Sequence, residues 1–558
     1  MNIYQTNINT IIATLFSKGL RRVVICPGSR NAPLVMAFAR FGKIECISIA
    51  DERSAAFVAL GMSKQLGEPV AVVCTSGSAV VNLYPAVVEA YYMQIPLILI
   101  TADRPAEMLD RWDGQTIHQE AIFSPHILVS LQTPEGIDED QIDLISHLSS
   151  QLFDASNGLL KGPVHLNVPL MEPLYSAVKE KFKYPNISII SNRIDSIDDW
   201  EIAIDKAHFF TNYPKVMVLH GTSGVETDNT ELSILSANAF VVSISDVVSN
   251  KHSYQTIPNW EGVFLNANGE LQKDLVPDLL ITTGKMVLNK TIKTLFRNNP
   301  PKRHWHIAEN GYCADTFFTE PEVLSLAPSK FFNQFNPFLP TEKSEYQQLF
   351  KKLGDQQKEL SDITLSQNYN EFNAVKIALE NLPDNIVLHL SNSMSIRYVA
   401  YLNSYLKTDW EIYSNRGVSG IDGCTSTALG AAMTDPRMHV LITGDIAFFY
   451  DINALWQTQL PNNFKIIILN NFGGGIFKNI DGPAGMAELN PFIATPHKMD
   501  AELLAQHFKL NYFKVVKLAE LEPSIKAWLS ADKASILEIQ TDSTTNSDIF
   551  NQYKQQIL

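Results

Sequence analysis

The chain is poor in the features that tie a protein to an oxidising compartment, a membrane or a nucleic acid. Its 558 residues hold five cysteines, Cys26, Cys46, Cys74, Cys313 and Cys424, with no paired spacing. That pattern excludes a disulfide or zinc framework and predicts reduced thiols in the cytoplasm. No apolar run reaches the ~20 residues of a membrane span, and the opening MNIYQTNINTIIATLFSKGL lacks the basic start and cleavage site of a signal peptide. Positive charge is also scarce: 44 Lys and Arg against 59 Asp and Glu give a net charge of −15, which argues against nucleic acid or an anionic membrane as partner. Small acidic substrates remain open wherever arginines cluster locally. Neither apolar run, 23–26 or 72–74, is followed by G-x-G-x-x-G, so the strand-to-helix turn that a nicotinamide dehydrogenase needs is missing. The histidines form no metal-binding pattern, and no sequence repeat stands out.

What is present is a long, ordinary globular composition, 45% hydrophobic and 18% charged, with too many residues for one core and enough for roughly three domains. Strand signals at 23–26, 45–49, 70–74, 96–101 and 163–168 alternate with helix signals, as in a parallel sheet covered on both faces. A weaker alternation follows at 216–219, 240–244, 279–282 and 304–307, and a third set at 386–390, 411–414, 439–443, 465–469, 512–516 and 535–540. The reading is an α/β protein of three doubly wound domains with mainly parallel sheets, at 1–180, 200–345 and 370–558. A linker is expected at about 176–200, and a linking loop and surface helix from 337 to about 365. The first and third domains share a rhythm.

Residues 441–477, LITGDIAFFYDINALWQTQLPNNFKIIILNNFGGGIF, organise the rest. They predict a strand ending in Gly444-Asp445, a crossover helix around 451–459, and a strand ending in Asn470-Asn471. A right-handed crossover brings both strand ends to one sheet edge, so Asp445 and Asn471 meet although 26 positions separate them. A carboxylate from Asp445, an amide oxygen from Asn471 and the backbone carbonyl of Gly473 make half of a Mg²⁺ octahedron, whose other positions go to phosphate oxygens and water. Gly473, Gly474 and Gly475 would let a diphosphate approach the backbone. Ordinary turn-forming Asp and Asn are the competing reading.

Further turns carry chemistry. Pro27-Gly28-Ser29-Arg30-Asn31 can hold a carboxylate or phosphate through amides, a hydroxyl and a guanidinium, or can be a plain helix cap beside a solvated arginine. Asp51-Glu52-Arg53 opens a helix, where acidic residues also suit the dipole. Thr75-Ser76-Gly77 and Ala102-Asp103-Arg104 follow the next two strands.

The Gly-Asp to Asn-Asn block resembles the diphosphate and metal motif of thiamine-diphosphate enzymes. With PGSRNAPL, DERSAAFVALG, TSGSAVVNLYPA, TADRPAE and SNRGVSGIDG in order across nearly the full length, the chain is similar to the branch of that family acting in menaquinone biosynthesis. The resemblance implies pyrimidine-binding, central and diphosphate-binding domains in that order, with active sites shared between subunits of a homodimer or homotetramer. It implies thiamine diphosphate with Mg²⁺ or Mn²⁺, held by Thr75, Ser76, Gly77, Ile421, Gly444, Asp445, Ile446, Asn471, Gly473, Gly474, Ile476 and Phe477, with Ile480 also lining the site. Glu52 would bond the pyrimidine N1′ and promote the imino tautomer. The implied substrates are 2-oxoglutarate and isochorismate, the first losing CO₂ and its remainder joining the second. Both are dicarboxylates, for which Arg30, Arg104, Arg397 and Arg416 are the matching cations and Ser29, Gln115 and Ser393 the neutral donors. Ile421 would force the cofactor into its bent form. A Lys-Arg pair of the family is incomplete: Lys290 is favoured as the lysine, with Lys285 open, and no arginine follows either. His118 is open between site and surface. A pyruvate-using relative such as acetohydroxyacid synthase is the alternative within the class; a non-catalytic relative should have lost Glu52 or the metal ligands.

Overall fold

The computed structural model describes residues 3–135, 141–175, 181–187, 208–224, 230–365, 369–479 and 482–555. The described residues fall into two compact units, one drawn from 1–194, 415–439 and 447–464, the other from 195–414, 440–446 and 465–558. Most of the expected 176–200 linker, and Ile480, lie outside the described residues.

The first sheet contains β1 (Arg22–Ile25), β2 (Glu45–Ser48), β3 (Val70–Cys74), β4 (Leu97–Asp103), β5 (Val129–Gln132) and β6 (Pro163–Pro169), in the order β2-β1-β3-β4-β6-β5. All its pairings are parallel. Alternate residues such as Val23, Ile25, Ala71, Val73, Ile98 and Ile100 join one buried cluster with Ile8, Ile12, Leu34 and Phe38 from helices. In the same unit, helix Glu52–Leu66 crosses helix Cys424–Ala432 at backbone contact. A Cβ on Gly61 would lie 2.0 Å from the Thr427 carbonyl oxygen and one on Gly430 equally close to that of Val58, so glycine is required at both.

A second sheet holds β7 (Val216–His220), β8 (Val242–Ser245), β9 (Leu279–Thr283), β10 (Arg303–Ile307) and β11 (Glu322–Leu324), ordered β11-β10-β9-β7-β8. Met217 and Leu219 enter one core and Val216 and Val218 another, so the sheet is buried on both faces. Helix Glu345–Leu365, expected as a surface helix, buries Tyr346, Phe350 and Leu353 in the first of those cores.

The third sheet comprises β12 (Val387–Leu390), β13 (Glu411–Tyr413), β14 (His439–Gly444), β15 (Phe464–Asn470), β16 (Asn511–Val515) and β17 (Ser535–Gln540), ordered β13-β12-β14-β15-β17-β16. One expectation is corrected here. The β14–β15 crossover has its helix at Asp445–Tyr450, directly on the strand end, followed by a 3₁₀ turn at Ile452–Leu455, and not at 451–459. Among the described residues no helix is long and apolar enough to cross a membrane, and all five cysteines are free.

Candidate cofactor and substrate site

In the first unit, parallel pairing sets the C-terminal ends of β2, β1, β3 and β4 side by side, and the turns that follow them carry the sequence-predicted residues. Arg30 is no solvated side chain: its Nη1 donates to the Leu170 carbonyl at 2.9 Å and its Nη2 to the Glu172 carboxylate at 3.1 Å, and it is buried. Burial, reinforced by the nearby Arg104 charge, lowers its pKa. Arg104 pairs with Asp113 at 3.2 Å, and its Nε is buried with no hydrogen-bond partner among the described residues. Two neighbouring guanidiniums, one with an unspent donor, favour an anion between them. Ser29 is exposed on the same turn, while Asn31 makes no cap and donates to the Cys26 carbonyl at 2.8 Å.

Glu52 heads helix Glu52–Leu66, whose N-cap Asp51 accepts from the Ser54 N–H at 2.9 Å. Its half-buried carboxylate accepts from Asn82 Nδ2 at 3.3 Å. Burial first, and the charges of Glu52 and Asp51 next, push the Cys26 thiol far up, so it stays protonated beside them. Ser76 Oγ donates to the Gln115 carbonyl at 2.9 Å, bringing exposed Gln115 to the Thr75–Gly77 turn; Thr75 Oγ1 is buried without a hydrogen-bond partner among the described residues. The Gly77 N–H is occupied by Gln119 Oε1 at 2.9 Å, and Gln119 Nε2 donates to Asn167 Oδ1 at 3.0 Å. Gln119 and Asn167 escaped the sequence reading because a buried glutamine in a loop has no local signature. His118 is exposed and faces Asp110 at 3.1 Å.

The loop with Arg416 and Ile421, both half-buried, is tied down inside the first unit. Buried Glu89 accepts from the Gly417 and Val418 N–H groups at 2.8 and 2.9 Å, and Arg53 Nη1 donates to the Asp422 carbonyl at 2.9 Å. Arg53, next to Glu52, thereby fastens the helix of one predicted residue to the loop of another. Glu89 was not anticipated either.

In the second unit, β14 and β15 are neighbours and their ends converge as expected. Asp445 is 2% exposed; Oδ1 accepts from the Ile446 N–H at 2.7 Å and Oδ2 from the Gly473 N–H at 3.0 Å. His497 Nε2 lies 3.2 Å from Asp445 Oδ2, off the alignment of a hydrogen bond, while its Nδ1 accepts from the Met499 N–H. Asn471 donates through Nδ2 to Glu371 at 2.7 Å, and its Oδ1 is buried with no hydrogen-bond partner among the described residues. Burial pushes the Glu371 carboxyl up to about 7, the nearby Asp445 charge adds to the rise, and hydrogen bonds from Asn471 and Tyr398 oppose it. The Gly473 carbonyl accepts from the Gly475 N–H at 3.1 Å. The backbone that approaches the glycines is the chain's own: a Cβ on Gly473 would meet the Ala494 carbonyl oxygen at 2.8 Å, whereas Gly444 has open space. Gly474, Ile476 and Phe477 are half-buried.

Ser393 follows β12 at φ 77° and ψ −131°, a strained conformation for a residue with a side chain. Arg397 Nη1 donates to its carbonyl at 2.5 Å; burial lowers the Arg397 pKa, against the pull of Tyr401 and Glu261. Lys290 is exposed at the start of helix Lys290–Asn298, and Lys285 is exposed in the turn after β9.

Among the described residues no three His, Cys, Asp or Glu side chains form a metal cage. A cation here would have one carboxylate, one amide oxygen and a carbonyl from protein, which suits Mg²⁺ shared with phosphate oxygens. Buried Asp445 beside a partnerless Asn471 Oδ1 fits that donor set, so the residues present suit a metal-bound diphosphate.

Comparison with known proteins sets the class: residues 6–122 match the thiamine pyrophosphate enzyme N-terminal binding domain and residues 398–539 the C-terminal one, which makes this a thiamine-diphosphate-dependent enzyme. Over nearly its full length the chain is also similar to curated 2-succinyl-5-enolpyruvyl-6-hydroxy-3-cyclohexene-1-carboxylate synthases. That of Flavobacterium psychrophilum is 38% identical, covering 98% of this chain and 97% of the relative. The Flavobacterium johnsoniae protein is 37% identical with the same coverage, and the Bacteroides fragilis one 32% identical over 99% of each. The chain belongs to this family of synthases.

Proposed function

We propose that the enzyme decarboxylates 2-oxoglutarate and joins the four-carbon remainder to isochorismate, in the cytoplasm, as a step of menaquinone biosynthesis. Thiamine diphosphate, when bound, supplies the electron sink that makes loss of CO₂ and carbon–carbon bond formation accessible. The chain's own residues hold, activate and orient. Asp445 and Asn471 Oδ1 bind Mg²⁺ or Mn²⁺, joined by the remaining lone pair of the Gly473 carbonyl. Glu52 holds a proton at the pyrimidine N1′. Thr75, Ser76 and Gly77 pack beside that ring, Ile421 wedges the cofactor, and Gly444, Ile446, Gly474, Ile476 and Phe477 line its other end. Arg30, Arg104, Arg397 and Arg416, with Ser29, Gln115, Ser393 and Lys290, receive the substrate carboxylates and hydroxyls. Domains at 1–180, 200–345 and 370–558 serve the pyrimidine, structural support and the diphosphate, and the active sites lie between subunits of a homodimer or homotetramer.

One observation carries the reading: Asn471 Oδ1 is buried without a hydrogen-bond partner among the described residues, in a site that also holds buried Asp445. A buried polar atom left unbonded costs about 1–3 kcal/mol, which a bound cation would recover. The test mixes purified protein with thiamine diphosphate, Mg²⁺, 2-oxoglutarate and isochorismate. CO₂ release matched to isochorismate loss supports the reaction. CO₂ formed equally well from pyruvate, with isochorismate untouched, would favour a chemistry like that of acetohydroxyacid synthase.

A further inference from the structure

An asparagine binds a cation only through its oxygen, and its amide has two nearly isosteric ends. Which end faces the metal is set by what holds the other. In this chain the other end is held by Glu371. Glu371 is 2% exposed; its Oε1 accepts from Asn471 Nδ2 at 2.7 Å and its Oε2 from the Tyr398 hydroxyl at 3.2 Å. The carboxylate is itself anchored. Glu371 opens helix Glu371–Asn381, its own N–H donates to Asn546 Oδ1 at 2.9 Å, and the N-cap Asn370 accepts from the Asn373 N–H at 3.0 Å. With Glu371 ionised, the form a cation beside it favours, turning the amide over would set Asn471 Oδ1 against a carboxylate oxygen and aim an NH₂ group at the cation.

We infer that Glu371 is a positioning residue that fixes the Asn471 amide with its oxygen toward the metal. The inference rests on the reading of Asp445 and Asn471 as cation ligands. A buried acid at a helix start, 100 positions upstream of the ligand it serves, has no other evident task in the site.

The experiment measures Mn²⁺ binding by the loss of the free-ion electron paramagnetic resonance signal, with thiamine diphosphate present, in the full-length protein. Parent protein should bind, and Asp445→Ala should not, which establishes the site independently of Glu371. Glu371→Gln offers a donor as readily as an acceptor, so the amide can turn, and the Mn²⁺ Kd should rise about 10- to 100-fold. The double variant Glu371→Gln/Asn471→Asp reverses the hydrogen bond while keeping an oxygen toward the cation, and should bind within a few-fold of the parent. Metal-free melting of Glu371→Gln should match the parent, which separates positioning from folding. A parent-like Kd for Glu371→Gln, or no recovery in the double variant, overturns the inference while leaving the ligand reading intact. Absence of binding by the parent, or unchanged binding by Asp445→Ala, overturns both.

Discussion

The first and third sheets have the same strand order. Numbering strands from the start of each, both run 2-1-3-4-6-5. The turns at their C-terminal ends both carry guanidiniums and hydroxyls, Arg30, Arg104 and Ser29 on the first and Arg397, Arg416 and Ser393 on the third, and differ in where the oxygen donors stand. On the first sheet Glu52 opens the helix that follows the second strand, whereas on the third sheet the third and fourth strands lead into the oxygen donors Asp445 and Asn471. One scaffold thus presents two toolkits, and function is decided by turn residues rather than by sheet topology. The comparison extends to backbone strain. Gly77 sits at φ 81° and ψ −139°, and Ser393 at φ 77° and ψ −131°, so a serine occupies a conformation that glycine fills elsewhere in the chain.

The proposed division, activation at the first edge and metal holding at the third, can be broken by substitution. Glu52→Gln should lower turnover by about 10²- to 10⁴-fold, the usual contribution of a positioned acid or base, in a steady-state assay of isochorismate loss. Arg397→Ala and Arg416→Ala each remove a charged hydrogen bond of about 1.5–3 kcal/mol, so kcat/KM should fall roughly 10- to 100-fold. If either leaves kcat/KM unchanged for both substrates, that arginine leaves the site.

Stability sharpens the comparison at smaller cost. Burial lowers His165 to about 3 in the first sheet, and His220 and His304 to about 3 and about 4 in the central one. These rings are neutral when folded but protonate below 6.5 when unfolded, so the unfolded chain binds the extra protons and stability falls as pH drops through that value. At pH 5 each should cost about 2 kcal/mol, seen as a lower melting midpoint than at pH 7. A flat midpoint between those pH values would contradict their burial. The smallest effect is Ser393→Gly, which should relieve strain and add about 1 kcal/mol to stability while weakening substrate use. The reciprocal Gly77→Ser should destabilise, because its Cβ would meet the Gln115 backbone at 3.0 Å.

Much of this was legible in the sequence. β-Branched runs in buried parallel strands announce themselves, and fifteen of the strands β1–β17 lie where such runs predicted them. β5 (VSLQ) and β11 (EVL) were not predicted; each holds only two apolar residues beside polar ones. The crossover helix was misplaced because the apolar residues at 452–455 form a 3₁₀ turn, while the helix begins on Asp445 itself. Asp445 and Asn471 could be read because strand ends have local signatures. Glu371, Glu89 and Gln119 could not, because each acts through hydrogen bonds to residues distant in sequence, which leave no periodicity.

The most direct test of the two-edge account is a calorimetric titration of thiamine diphosphate, with Mg²⁺ present and with chelator, into Glu52→Gln and Asp445→Ala. The account predicts near-parent, Mg²⁺-dependent binding by Glu52→Gln and loss of that binding by Asp445→Ala. Parent-like affinity in Asp445→Ala, with or without chelator, would contradict it.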